Sequence, residues 1–117
     1  MPRIYTLLTP RIIGLREIAH AVAASGIPLE HRMEREGLHA VLHAGGVVVL
    51  TVVHPRPVPV ASEIDRLLPG VEAPPGVAWW TDVIVAPGER DRALPVVAAL
   101  AALLDGIACD TASEWTA

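Results

Sequence analysis

Short runs of apolar residues, separated by glycine and proline, divide the chain into segments with the spacing of strands and helices. The most regular pattern covers residues 37–55, where two runs rich in apolar residues meet at Gly45-Gly46. Glycine tolerates the positive φ angles that a two-residue hairpin turn requires. The pattern therefore predicts a β-hairpin centred on this dipeptide.

The chain before this hairpin predicts one strand and one helix. Residues 4–8 are a short β-prone run, which predicts the first strand. Apolar residues recur at helical spacing over residues 15–25, and Gly26 follows where a helix C-cap glycine belongs, so this segment predicts an amphipathic helix. Residues 27–36 mix acidic and basic side chains and are typical of a solvated edge segment or a loop.

The chain after the hairpin predicts a connector, two helices and two strands. Three prolines within residues 55–59 require an extended connector, and Ser62 begins a pattern typical of a short capped helix. The pattern then predicts a strand at residues 79–86, a helix at residues 91–104 that is buried on nearly all sides, and a short strand at residues 107–109.

These elements follow the order β-α-β-β-α-β, with one additional short helix. The order predicts an α+β fold with a mixed sheet around the central hairpin and helices on one face, in a ferredoxin-like arrangement. A length of 117 residues is enough for one hydrophobic core. We therefore expect a single domain over residues 1–117, of which residues 110–117 form a polar tail with Trp115 as an anchor.

A two-residue turn determines which hairpin side chains share a face. It places His43 opposite Val48 and His39 opposite Val52. One face is then predicted to lie under the helices: Leu38, Ala40, Leu42, Val47, Val49, Thr51 and Val53. The other face carries the remaining residues: His39, Val41, His43, Val48, Leu50 and Val52.

This second face is apolar, where a sheet covered on one side normally shows polar residues. We therefore expect a protein partner or a second copy of the chain to cover it, with the Trp80 side chain as a further contact. Trp79 and Trp80 are expected to point to opposite faces of their strand. The alternative is that the proline-rich connector or the C-terminal tail folds over this face.

Composition narrows the classes of function. The formal net charge is −4, which argues against a nucleic-acid partner. The longest unbroken apolar run, residues 96–104, is about half of a membrane span, and the N-terminus lacks the apolar region of a signal peptide. We therefore expect a cytoplasmic protein with no membrane partner. Lys, Phe, Asn and Gln are absent, which indicates a bacterial source with GC-rich codons.

Five histidines make a metal site worth considering. His39 and His43 are four residues apart, and on a strand this spacing separates them by roughly 13 Å, too far to share one ion. In the predicted register His54 lies diagonal to His39, close enough for two ligands, with Glu34 or Glu36 as a third. Histidines at strand ends are more often structural. We therefore predict no metal site, with His39 and His54 as the candidates.

The remaining chemistry-bearing residues do not form a catalytic pattern. The single cysteine, Cys109, lies in an apolar context typical of a small packed thiol rather than a nucleophile, and it excludes an intrachain disulfide. Gly45-Gly46 joins two strands instead of opening a helix, so it does not match a nucleotide-binding motif. The carboxylates of Asp82, Asp110 and Glu114 have no spacing that defines a pair. We predict no catalytic residues and no cofactor.

A tryptophan, a strand and an alanine-rich helix follow one another in the C-terminal third of the chain. From Trp79 onward these elements are followed by the segment 105–110 and by Trp115. This order resembles the closing segment of small bacterial proteins, among them immunity proteins of polymorphic-toxin systems. Those proteins have a glycine pair and an aromatic residue where this chain has Asp105-Gly106 and Cys109. The resemblance implies a non-enzymatic protein that binds and blocks a cognate toxin.

These observations favour a small protein-binding domain, with toxin neutralisation by steric occlusion as its specific form. An acidic rim is expected to meet a basic cleft of the toxin: Glu30, Glu34, Glu36, Glu63 and Asp65. Trp80 or the apolar hairpin face would supply the apolar anchor. One alternative is a dimeric ligand-binding protein or enzyme whose cavity is lined by His39, His43 and His54. Another is an accessory subunit whose sheet face docks on a larger enzyme.

Overall fold

The computed structural model describes residues 3–58, 62–68, 70–73 and 75–110. The first half of the chain forms β1 (Arg3–Thr9), α1 (Leu15–Ser25), β2 (Glu30–Glu34), β3 (His39–Ala44), β4 (Val47–Val53) and β5 (Arg56–Pro57). The second half forms α2 (Ser62–Leu67), β6 (Trp79–Val85), α3 (Arg90–Leu103) and β7 (Ile107–Asp110). The predicted α+β class is confirmed. Asp110 belongs to β7 rather than to the expected tail, and residues 111–117, including Trp115, lie outside the described residues.

All the strand pairings are antiparallel. The order across the sheet is β2-β3-β4-β6-β1-β7, and β5 continues from β4 along the same side of β6. The prediction of a mixed sheet is wrong. β1 and β4 run in the same direction, but they do not pair with each other, because β6 lies between them and is antiparallel to both. The β3–β4 hairpin lies inside the sheet, with β2 on one side and β6, β1 and β7 on the other.

The helix α1 has the predicted bounds, and both of its ends have a local explanation. At the start, the Gly14 N–H donates to Oε1 of Glu17 at 3.2 Å, which satisfies one of the amides that a helix start leaves without a partner. At the end, Gly26 has a φ of 74°, the left-handed conformation that a C-cap glycine supplies.

The sheet separates two hydrophobic cores. α1 and α3 pack on one face and enclose the first core, together with residues of β1, β3, β4 and β6. α2 covers part of the other face, where Leu8, Ile64 and Leu68 form the second core. Leu7 and Leu8 are both 0 % exposed, because successive residues of β1 point to opposite faces. The prediction of helices on one face therefore holds for α1 and α3 and is wrong for α2.

The β3–β4 hairpin contains a bulge that changes its predicted register. His43 pairs with Val48 as predicted, but the next pair is Leu42 with Leu50, which leaves Val49 as an extra residue. An extra residue shifts the alternation of side chains by one position. His39 consequently pairs with Val53 instead of Val52.

The bulge reverses the expected faces for the second half of β4. Leu50 and Val52 are 0 % and 4 % exposed in the first core, so the prediction that they lie on the face away from the helices is wrong. Thr51 and Val53, which were expected under the helices, pair with Val41 and His39 on the opposite face.

Two hairpin turns flank β3, and both use left-handed backbone. In the β3–β4 turn, Gly45 and Gly46 have φ angles of 57° and 82°, in agreement with the predicted turn. In the β2–β3 turn, Arg35 and Glu36 adopt φ angles of 54° and 57° before Gly37. A non-glycine residue in this conformation costs roughly 1 kcal/mol or more, so the β2–β3 turn is strained where the β3–β4 turn is not.

Candidate protein-binding surfaces

The first candidate surface is the part of the sheet that faces away from α1 and α3 and that α2 does not cover. We call it the open face. The strand registers assign to it three residues of β2, Glu30, Arg32 and Glu34, and eight residues of the other strands: Ile4, His39, Val41, His43, Val48, Thr51, Val53 and Ile84. Ile4 is 42 % exposed, whereas Val41 is buried between its neighbours Arg32 and Thr51 on the adjacent strands. The open face is therefore charged along β2, mostly apolar on the other strands, and only partly accessible there.

The predicted partner face is divided by the structure. His39, Val41, His43 and Val48 lie on the open face, as the register of β3 and β4 shows. Leu50 and Val52 do not, because the bulge turns them into the first core. Trp80 packs against the second core, beside α2, and does not project as an isolated anchor.

The Trp80 side chain belongs to a polar cluster. Its Nε1 donates to Oδ1 of Asp82 at 2.9 Å, and Oγ1 of Thr6 donates to the same oxygen at 3.1 Å. The Arg56 guanidinium lies 3.5 Å from Oδ2 of Asp82 and 5.4 Å from the centre of the Trp80 ring. These contacts hold the indole and the carboxylate in place, which is the arrangement of a structural cluster on the sheet surface.

A second polar cluster attaches α3 and β7 to β1. Nε of Arg90 donates to the Tyr5 hydroxyl at 3.5 Å, and this hydrogen bond is the main cause of a raised pKa for Arg90. Nη2 of Arg3 lies 3.4 Å from Oδ2 of Asp110. Cys109, the other chemistry-bearing residue of β7, packs half-buried against the second core.

The histidines do not converge on one site in the described chain. His39 and His43 lie on the open face, whereas His54 lines a groove bordered by the start of α1. The part of the chain that the structure describes contains no group of three His, Cys, Asp or Glu side chains placed to hold a metal ion. The predicted diagonal contact between His39 and His54 depended on a register that the bulge removes.

The second candidate surface is this groove, which sequence reasoning missed. It has a volume of about 310 Å³ and lies between the start of α1, the β2–β3 hairpin and the junction of β4 and β5. Ile12, Leu15, Met33 and Leu38 line it and are 43–53 % exposed. We call it the edge groove. Its one visible signal in the sequence is Met33, an isolated apolar residue within a charged segment.

The expected acidic rim is not continuous. Glu30 and Glu34 lie on β2, at the edge of the sheet, and Glu36 lies in the adjacent turn. Glu63 lies on α2, which packs near β6 and β1. These carboxylates are therefore separated from Glu63, because β2 is three strand spacings, or about 14 Å, from β6. The side chain of Asp65 lies outside the described part of the structure.

Comparisons of the chain with protein-family models, with curated proteins and with solved structures give no match. Within the described residues, no helix has the length and apolar character needed to cross a bilayer. A functional argument for this chain therefore depends on its own surfaces.

Proposed function

We propose that this protein is a non-enzymatic protein-binding domain and that it acts as an immunity protein, which neutralises a cognate toxin by steric occlusion. The observation that carries the proposal is the edge groove, where four large apolar side chains are exposed together. Clustered exposed apolar residues mark interaction sites, whereas scattered ones do not. In this assignment the groove, rather than Trp80, supplies the apolar anchor.

The C-terminal segment supports the specific form of the proposal. It resembles immunity proteins in having a glycine immediately before the last strand, and Gly106 has a steric reason to be there. A Cβ atom on Gly106 would lie 2.4 Å from the Leu8 carbonyl oxygen and 2.7 Å from Cγ2 of Thr9. The turn before β7 approaches β1 so closely that only glycine fits without a backbone shift.

The proposal includes a ferredoxin-like core. When β2, β3 and β5 are set aside, the remaining strands lie in the order β7-β1-β6-β4. α1 lies between β1 and β4 in the sequence, and α3 lies between β6 and β7. This alternation supports a split β-α-β arrangement, to which β2 and β3 add a hairpin extension.

A second candidate function is a dimeric ligand-binding protein or enzyme formed through the open face. The observation in its favour is that this face carries the exposed Ile4 and, three strands away on β3, the half-buried His39 and His43. An accessory subunit of a larger enzyme would use the same face. Sedimentation equilibrium separates these functions from the main proposal, because a dimer that binds no other protein contradicts the immunity assignment.

The decisive experiment uses the genes adjacent to the coding sequence. We expect one of them to encode a protein that stops growth when expressed alone in a bacterial host. Co-expression with this chain should restore growth and yield a stoichiometric complex on size-exclusion chromatography. If no adjacent gene product is toxic or bound, the immunity function is wrong.

A pair of matched variants links the complex to the edge groove. Leu38→Asp places a charge at the groove and should weaken the complex by at least about tenfold, because a central apolar contact is lost. Leu67 is the control, since it is 48 % exposed but lies on α2. Leu67→Asp should leave the affinity within about twofold of the parent protein, as measured by isothermal titration calorimetry.

A further inference from the structure

We propose that β2 binds an extended segment of the partner by strand addition, and that this segment alternates basic and apolar residues, with an apolar side chain seated in the edge groove. The inference rests on the proposed protein-binding function. It goes beyond that function by specifying the backbone geometry and the charge of the bound segment.

The first argument is the position of β2. It lies at the end of the strand order, pairs only with β3 among the described strands, and has all five residues exposed. In an antiparallel edge strand, alternate residues direct their N–H and C=O groups away from the sheet. These groups form a template for another extended chain.

The second argument is the continuity between β2 and the edge groove. Met33 pairs with Ala40 on the α1 side of the sheet, and both residues line the groove. An added strand would lie about 4.8 Å beyond β2, and its alternate side chains would point to the same side as Met33. Leu15 and Ile12 form the opposite wall, so one apolar side chain of that strand would enter a cavity that is already apolar.

The third argument is charge. Glu30, Arg32 and Glu34 share the other face of β2. Nε of Arg32 lies 2.6 Å from Oε2 of Glu34, whereas Glu30 forms no ion pair within the described residues. With Arg35 and Glu36 of the adjacent turn, the edge carries three carboxylates against two guanidinium groups, and basic side chains opposite Glu30 and Glu34 are the complement.

The same charges disfavour a second copy that pairs in the register centred on Arg32. Two β2 strands paired antiparallel about a two-fold axis at Arg32 would place Arg32 opposite its own copy and Glu30 opposite Glu34. Like charges directly opposite each other destabilise a strand pair. A basic partner strand instead forms two attractive pairs, at Glu30 and Glu34, against one repulsive pair at Arg32, so the charges favour it over a second copy in this register.

The test uses the full chain, labelled with ¹⁵N, and a synthetic nine-residue peptide of alternating Lys and Val. We expect the largest amide shifts at residues 30–38, together with slower hydrogen exchange in β2. A peptide with Glu in place of Lys has the same strand propensity pattern and the opposite charge, and it should not bind. The edge strand β7 serves as an internal control, and its amides should not shift.

Charge reversal on β2 provides the second measurement. The double variant with Glu30→Lys and Glu34→Lys should weaken binding of the basic peptide by about tenfold, because two attractive pairs become repulsive. Glu72→Lys makes the same type of change at an exposed residue elsewhere and should leave binding unchanged. An unchanged ¹⁵N spectrum away from β2 would show that the double variant is folded.

Three outcomes overturn the inference: no shifts with the basic peptide, equal binding of the acidic peptide, or shifts confined to β1, β4 and β6. Its failure is distinguishable from failure of the proposed function. A toxin complex that is insensitive to the β2 charge reversal contradicts strand addition and leaves the immunity function standing. If the peptide binds β2 but the protein binds no adjacent gene product, strand addition is supported and the immunity function is wrong.

Discussion

The two ends of the sheet differ in how many layers cover them. At one end, β6, β1 and β7 lie between two layers, with α1 and α3 on one face and α2 on the other. At the other end, β2 is exposed at every position and β3 is its only partner among the described strands. We call these the packed end and the edge end. The second core lies in the packed end, and the edge groove lies in the edge end.

The two ends differ in how their exposed apolar side chains are grouped. At the packed end Leu7 and Leu8 are fully buried, one on each face of β1, whereas Ile4 of β1 and Leu67 of α2 are exposed at separate positions. The exposed ones at the edge end, such as Met33 and Leu38, border one groove. Substitutions at the two ends should therefore separate effects on folding from effects on binding.

The largest expected effect is at Leu8. Leu8→Ala removes a side chain that is 0 % exposed in the second core, and it should lower the free energy of unfolding by about 3 kcal/mol. Leu38→Ala, at a side chain that is 53 % exposed, should change it by less than about 0.5 kcal/mol. Urea denaturation followed by circular dichroism measures both. If both variants lose the same free energy of unfolding, the second core contributes no more to stability than the edge groove does.

An effect of opposite sign is expected at Thr81, also in the packed end. Its hydroxyl is buried and has no hydrogen-bond partner among the described residues. Thr81→Val keeps the side-chain shape and removes the unsatisfied hydroxyl, so it should raise the free energy of unfolding by about 1 kcal/mol. Thermal denaturation checks the sign. A loss of stability would instead indicate an internal water that bonds to the hydroxyl.

The smallest effect is expected in the turn of the edge end. Glu36 has a φ of 57°, and Glu36→Gly removes the strain of a side chain in that conformation. We expect a gain of about 0.5 kcal/mol in the free energy of unfolding, measured by urea denaturation. Glu34→Gly, two residues earlier in β2, should instead be destabilising, because glycine weakens a strand. If both substitutions raise the free energy of unfolding, the gain comes from the loss of a negative charge rather than from relief of backbone strain.

The local elements were predictable because their signals are local. The bounds of α1 and its Gly26 cap follow from helical spacing and one glycine, and the Gly45-Gly46 turn follows from its dipeptide. The bulge was not predictable, because Val47 to Val53 is apolar at all positions except Thr51. The sequence therefore does not indicate which of these side chains point to which face of the sheet. A one-residue shift in such a strand leaves the pattern of apolar residues almost unchanged.

The edge groove was not predictable for a different reason. Ile12, Met33, Leu38 and His54 come from separate segments and meet only after the sheet has formed. The second core was missed likewise, since it joins Leu8 of β1 to a helix more than fifty residues later. Signals confined to one window of the sequence contain no information about such contacts.

The position of β1 also has a consequence for how the protein is made. Its two neighbours are β6 and β7, which the ribosome synthesises after most of the chain. Until they emerge, the apolar residues of β1 have no strand to pair with, and contacts this distant in sequence form slowly. The nascent chain is therefore exposed to misassociation for most of its synthesis. The pairing of β1 with its two neighbours therefore waits until β6 and β7 have been synthesised.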